Sequence, residues 1–170
     1  LYNISRIHKP ALNKIMITAS RAGNAGIVWW AICLPFLINS NWRATGANFV
    51  FGLAWAHLMG EIIIKHIVKR VRPCHTLDDD EQLIDRPRFY SFPSGHTTAS
   101  FAMVGVALMR CKVITFMPIL ILAMLIAFSR IYLRVHYLTD VIAGMILGLT
   151  CGICSVLIFN TVVPMWFPMV

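Results

Sequence analysis

Five apolar runs leave this chain essentially one way to fold. They cover approximately Ala22 to Ser40, Ala44 to Ile64, Thr97 to Met109, Val113 to Phe128 and Val141 to Val163. A bilayer core holds no water to satisfy backbone N–H and C=O groups, so runs of this kind must pair those groups internally, as helices. Crossing the hydrocarbon takes roughly 20 residues of helix. The third and fourth runs reach that length only if polar flanking residues extend them. Only 13% of the 170 residues are charged, about half the share usual in soluble domains. The expectation is an all-α, integral-membrane helical bundle in a single domain over residues 1–170, with five or six transmembrane helices.

Ahead of the first run, Leu1 to Arg21 places Leu12, Ile15, Met16 and Ala19 on one helical face, with Arg6, Lys9 and Lys14 among them. That pattern predicts an N-terminal amphipathic helix lying in the membrane interface. No cleavable signal peptide is recognisable. Pro35 and Pro118 fall inside runs, where neighbouring helices absorb kinks. Gly144, Gly148 and Gly152 recur every four residues in the last run, a small-residue stripe suited to close helix approach.

The formal net charge is +8. In a soluble chain this would suggest nucleic acid, but here the basic residues border apolar runs. Anionic lipid and the bilayer are therefore the expected partners, and nucleic acid is not. The five cysteines suggest no disulfide framework, and the Cys151 and Cys154 pair sits in an apolar run without a redox context.

With five spans, the loop from Lys65 to Phe92 and the loop from Ser129 to Asp140 emerge on one membrane face. Three polar islands lie there. In the first, Lys65 and Arg72 are seven residues apart, which on a continuous helix puts them on one face with Lys69 beside them; Pro73 marks the helix end at Arg72. Arg72 can bind two phosphate oxygens and Lys65 supplies a compact charge. The plainer reading is a cationic helix end anchored among headgroups.

The second island is Pro93-Ser94-Gly95-His96. Gly95 permits close backbone approach, Ser94 offers a hydroxyl and an amide, and the helix that follows points its positive end here, which together suit an anion. His96 could give a proton to a leaving alkoxide. A helix-capping turn explains the same residues.

In the third island His136 and Asp140 are four apart, so on a helix the carboxylate can hold one ring nitrogen while the other faces a substrate. Arg130 adds a cation, and Arg134 reads as a lipid-interface charge. Deeper in the second run, His57, Glu61 and Lys65 follow at four-residue steps; Glu61 is expected to pair with Lys65 and position it, with His57 extending the network. His8, His66 and His75 carry no assigned role. Asp78, Asp79, Asp80, Glu81 and Asp85 read as a solvated acidic loop.

Taken together, Lys65-x6-Arg72-Pro73, Pro93-Ser94-Gly95-His96 and Ser129-Arg130-x5-His136-x3-Asp140 resemble the three-part signature of the type-2 phosphatidic acid phosphatase family. Soluble vanadium haloperoxidases share a similar pocket, but the apolar spans favour the lipid phosphatase branch. The resemblance implies that Lys65, Arg72, Ser94, Gly95 and Arg130 bind phosphate. It further implies His96 as proton donor, His136 as the nucleophile that becomes phosphohistidine, and Asp140 as its support, with no cofactor and no metal. Members of that family have six spans, against five plus an amphipathic helix here.

Expected substrates are lipid phosphates: phosphatidylglycerophosphate, phosphatidic acid or a polyprenyl diphosphate. The rivals are a metal hydrolase using His96, His136 and Asp140, disfavoured because converging cations repel a metal, and a non-catalytic protein that binds or transports lipid phosphate. Twelve basic residues fall on the face of the islands and three on the other, which by the positive-inside rule puts the islands in the cytoplasm. The resemblance favours the extracytoplasmic side of a bacterial plasma membrane.

Overall fold

The computed structural model describes residues 9–76, 82–87 and 90–162, and every regular element among them is helical. Helix α1, Pro10–Ala22, begins on a proline, where the missing N–H breaks no helical bond. Its apolar stripe is turned largely toward protein. Met16 and Ala19 are buried, and Leu12 and Ile17 lie against the cluster of Tyr132, Leu133 and Val135; Ile15 faces outward. Most of the face expected to lie in the interface is thus covered by the bundle, and residues 1–8 of that expectation lie outside the described residues. At Ala25 (φ 49°) and Gly26 (φ 69°) the backbone enters the left-handed region, and the chain bends by 58° into α2, Ile27–Ile38.

Helix α3, Arg43–His57, runs through a π-helical stretch, Leu58–Ile64, into α4, Lys65–Val68. Lys69 then adopts a left-handed conformation (φ 50°) that ends the helix. The remaining helices are α5, Gly95–Arg110, α6, Val113–Tyr132, and α7, Leu138–Val162. The start of the acidic loop, residues 77–81, lies outside the described residues, as does Val163 at the expected end of the last span.

Among the described residues, three helices are long and apolar enough to cross a membrane: Ser40–Val68, Val113–Tyr132 and Leu138–Phe159. The bent pair of α1 and α2 makes a fourth if it is one span. Length and apolarity therefore account for three or four spans. Helix α5 is shorter than these and lies at the axis of the bundle, packed against α3, α6 and α7. Its 16 residues carry Thr97, Thr98 and Ser100 on buried faces that meet other helices instead of lipid. The outer helices turn Ile114, Ile121, Ile146 and Leu157 outward, an apolar girdle suited to acyl chains.

The glycine stripe of α7 lies against α5. A Cβ at Gly148 would collide with the Thr98 carbonyl oxygen, one at Gly152 with that of Ala102, and one at Gly144 would sit 2.9 Å from that of Ser94. Backbone meets backbone along this seam. It fixes the start of α5 against the start of α7, and so joins the second and third islands.

Candidate active site

The three islands converge at one end of the bundle around a cavity of about 870 Å³. Lys65, Arg72, Gly95, His96, Arg130 and His136 all line it, although they come from three separate stretches of chain.

His136 stands in the short turn between α6 and α7, not on a helix. Its backbone N–H donates to Arg130 O (3.3 Å), and Arg134 (φ 56°) makes the bend. The expected helical stacking of His136 on Asp140 is therefore replaced by a cap. Asp140 lies in the first turn of α7, and its Oδ2 accepts from the Tyr137 N–H (2.9 Å) while standing 3.6 Å from His136 Nδ1. The other ring nitrogen, Nε2, accepts from Arg72 Nη1 at 2.9 Å. A guanidinium can only donate, so Nε2 carries its lone pair toward the cavity and the proton belongs on Nδ1, facing the carboxylate.

Burial pushes His136 down to about 3, with the Arg130 and Arg72 cations adding to the shift and Asp140 opposing it. The ring is neutral at physiological pH, the form in which it can attack. Burial likewise lowers Arg72 from its ordinary value, but a guanidinium starts high enough to remain charged. Arg72 and Arg130 are both buried, and such a pair is stabilised by an anion between them.

Arg72 reaches the site by a route the sequence did not suggest. The helix ends at Val68, so Lys65 and Arg72 do not share a helical face; the chain reverses at Lys69 and Arg72 enters on irregular backbone, also donating to Val135 O (3.0 Å). Lys69 is exposed and does not line the cavity. Lys65 is buried and pairs with Glu61 Oε1 at 2.5 Å. Gly95 leaves room for that pair: a Cβ there would collide with Glu61 Oε1 where it now stands. His57 is exposed and lines the same cavity.

Ser94 departs from the expected cradle. It is fully buried behind Gly95, its N–H donates to Asp140 O (3.1 Å), and its Oγ accepts from Thr97 Oγ1 (2.9 Å). The Ser94 amide is thus already committed to joining α5 to α7. Arg134, read as a lipid-interface charge, is instead 2% exposed inside the bundle.

Three partners were not singled out from sequence. Arg70 Nη1 donates to Asp140 Oδ1 (2.9 Å) and Thr139 Oγ1 (2.7 Å), and its guanidinium lies 4.0 Å over the Tyr137 ring. Ser20 Oγ accepts from Arg130 Nη1, and Asn24 Oδ1 bonds His96 Nε2 at 2.9 Å. Arg70 sits inside the first island, but spacing gave no reason to prefer it. Ser20 and Asn24 are over 70 positions from their partners, and no local pattern marks them.

Residues 45–164 match the PAP2 superfamily. The chain is 33% identical over 151 residues to an undecaprenyl-diphosphatase of Sulfolobus acidocaldarius, an alignment covering 88% of this chain and 72% of that protein. Its fold superposes on the crystal structure of Aquifex aeolicus LpxE with a TM-score of 0.78 and 26% identity, covering 89% of each chain. A PAP2-type phosphatidylglycerolphosphate phosphatase from Bacillus subtilis superposes with a TM-score of 0.72 and 25% identity, over 96% of this chain and 85% of that one. The extent of the sequence match, and a fold shared with solved phosphatases of this type, establish that the chain belongs to the PAP2 superfamily and is an integral-membrane phosphatase.

Proposed function

We propose that this enzyme hydrolyses a phosphate ester or diphosphate of a membrane lipid through a phosphohistidine on His136. The observation that carries the reading is the Arg72 to His136 contact, a buried cation bonded to the lone pair of a neutral imidazole. When a phosphate takes the Arg72 guanidinium, Nε2 is released beside the phosphorus. Lys65, Arg72 and Arg130 neutralise the phosphoryl oxygens, as converging cations do in phosphoryl transfer. Gly95 lets the group approach, and Ser94 holds the start of α5 in place. Asp140 keeps the His136 proton on Nδ1 and offsets the positive charge that develops as Nε2 bonds phosphorus. His96 protonates the departing oxygen, then takes a proton from the water that hydrolyses the phosphohistidine.

The substrate is phosphatidylglycerophosphate, phosphatidic acid or a polyprenyl diphosphate. The relatives' names, an undecaprenyl-diphosphatase and a phosphatidylglycerolphosphate phosphatase, support that class. Five or six spans with α1 at the interface, in a bacterial plasma membrane with the site on the extracytoplasmic side, complete the reading.

Phosphate release by purified protein from those three lipids, with His136→Ala as the blank, tests it. Turnover of at least one lipid that vanishes in the variant is expected; lipid binding without turnover would favour a non-catalytic role. Cys74 is fully buried and its thiol is pushed up by burial, so it cannot report the leaflet. Lys69→Cys, at an exposed position beside the site, can: labelling by an impermeant reagent in intact cells is expected.

A further inference from the structure

The family match begins at residue 45, yet two side chains ahead of it reach the reacting groups. Ser20 closes on Arg130, and Asn24 on His96. The turn that carries Asn24 is shaped for this. Ala25 and Gly26 are left-handed, α1 and α2 diverge by 58° across the break, and a Cβ at Gly23 would stand 2.8 Å from His96 Cδ2. The backbone at Gly23 therefore lies directly on the edge of the imidazole that bears Nε2.

We propose that Asn24 is a positioning residue for the proton donor, and that the turn from Gly23 to Gly26 forms the leaving-group side of the site. The inference rests on the reading of His96 as general acid. An amide oxygen only accepts, so the 2.9 Å bond to Asn24 Oδ1 places a proton on His96 Nε2. Asn24, Ala25 and Gly26 line the same cavity as His96, with Trp30 one helical turn further on. A phosphate held by Arg72 and Arg130 has its departing oxygen on the His96 side, and the group attached to that oxygen meets this turn.

The proton balance explains why an amide suits the position. As His136 Nε2 bonds phosphorus, the bond to the leaving oxygen breaks, and that oxygen takes the Nε2 proton of a His96 that the bound phosphate anion holds in its cationic form, leaving a neutral imidazole. Water then attacks the phosphohistidine and returns a proton to Nε2 while the N–P bond breaks. Asn24 offers an acceptor oxygen and a donor NH₂ on one carbon, so it can bond Nε2 in either state. A carboxylate in its place could accept only. The charged and titratable groups around His96 are Arg130 from α6, His136 from the turn after it, and Lys65 from α4. All three are cationic or neutral, and the acceptors that meet the ring are the Ser20 backbone and Asn24 Oδ1.

Purified Asn24→Ala and Asn24→Asp proteins test this with two substrates: a lipid phosphate with an alkyl leaving group, and p-nitrophenyl phosphate, whose leaving group departs without a proton. Asn24→Ala is expected to lose about 10- to 100-fold in kcat on the alkyl substrate, part of what a positioned acid contributes, with p-nitrophenyl phosphate turnover held within about twofold. Asn24→Asp, which keeps an acceptor oxygen in place, is expected to retain alkyl turnover to within about fivefold. Equal losses on both substrates, or none on either, would overturn the proposal. Asn24 is exposed, so folding is little at risk, and Asn24→Asp reports independently should the alanine variant be unstable. His136→Ala separates the underlying reading: it must abolish both activities whether or not Asn24 matters.

Discussion

Arg72 Nη1 donates to His136 Nε2 across 2.9 Å, so a buried guanidinium and the imidazole lone pair satisfy each other. In the proposed mechanism one displacement arms the site: an anion that takes the guanidinium also uncovers the nitrogen. Removing Arg72 should weaken both functions together. Arg72→Lys, which loses the planar fork, is expected to lower kcat/KM by about 10²-fold or more, in the range seen when a donor to the developing charge is removed. Steady-state kinetics on a lipid phosphate read this directly, and an unchanged KM and kcat would contradict it.

The low value of His136, about 3, sets a pH signature with a definite sign. The unfolded chain takes up a proton on this residue near its usual 6.5, whereas the folded chain does not until about 3. Its contribution to stability is therefore complete above about 6.5 and is lost as pH falls from there toward 3. Thermal midpoints in detergent should drop between pH 7 and pH 4, and the drop should be smaller in His136→Gln. If His136 is the nucleophile, as proposed, the activity profile should also show no acid limb near pH 6.5 attributable to this residue.

Among the described residues the Asp140 carboxylate meets the Tyr137 N–H, Arg70 and His136, and the last contact is the longest at 3.6 Å. Asp140→Asn keeps the size but loses the charge, so the wrong His136 tautomer becomes competitive. A fall in kcat of about 10²- to 10⁴-fold is expected, the range for a group that holds an acid–base or nucleophilic partner, with little change in KM. A loss confined to KM would assign Asp140 to binding instead.

Gly95→Ala puts a methyl group where Glu61 Oε1 now lies, against the Lys65 pair. Either Glu61 releases Lys65 or the start of α5 shifts. A loss of activity of at least about 10-fold is expected, since small misplacements at a site of this kind are costly. Glu61→Gln should relieve the clash only in part. Activity equal to wild type in Gly95→Ala would show that the contact is dispensable.

Gly148→Ala should act at a distance. The added Cβ collides with the Thr98 carbonyl oxygen and pushes α5 from α7; overpacking of this kind costs about 1–3 kcal/mol. Because Ser94 N and Asp140 O are joined across the same seam (3.1 Å), activity should fall along with the thermal midpoint. Loss of one without the other would separate the seam from the site.

The sequence by itself determined the class of fold and the chemistry of the islands. Apolar runs in a bilayer can only be helices, and the stripe of Gly144, Gly148 and Gly152 announced a close helical seam, because both follow from local pattern. It also supplied the residue types that line the cavity, and the four-residue step from Glu61 to Lys65 that becomes an ion pair. What it could not supply was the path of the backbone between them. A left-handed Lys69, invisible to periodicity, ends the helix and brings Arg72 in from the side. His136 stands in a turn because α7 starts at Leu138, and Arg134 is enclosed because that same turn folds inward. The N-terminal contacts are the furthest from sequence logic. Ser20 meets Arg130 because α1 packs along α6, and Asn24 meets His96 at the 58° bend that follows, and a pairing across such separations is settled by packing, which no local pattern records.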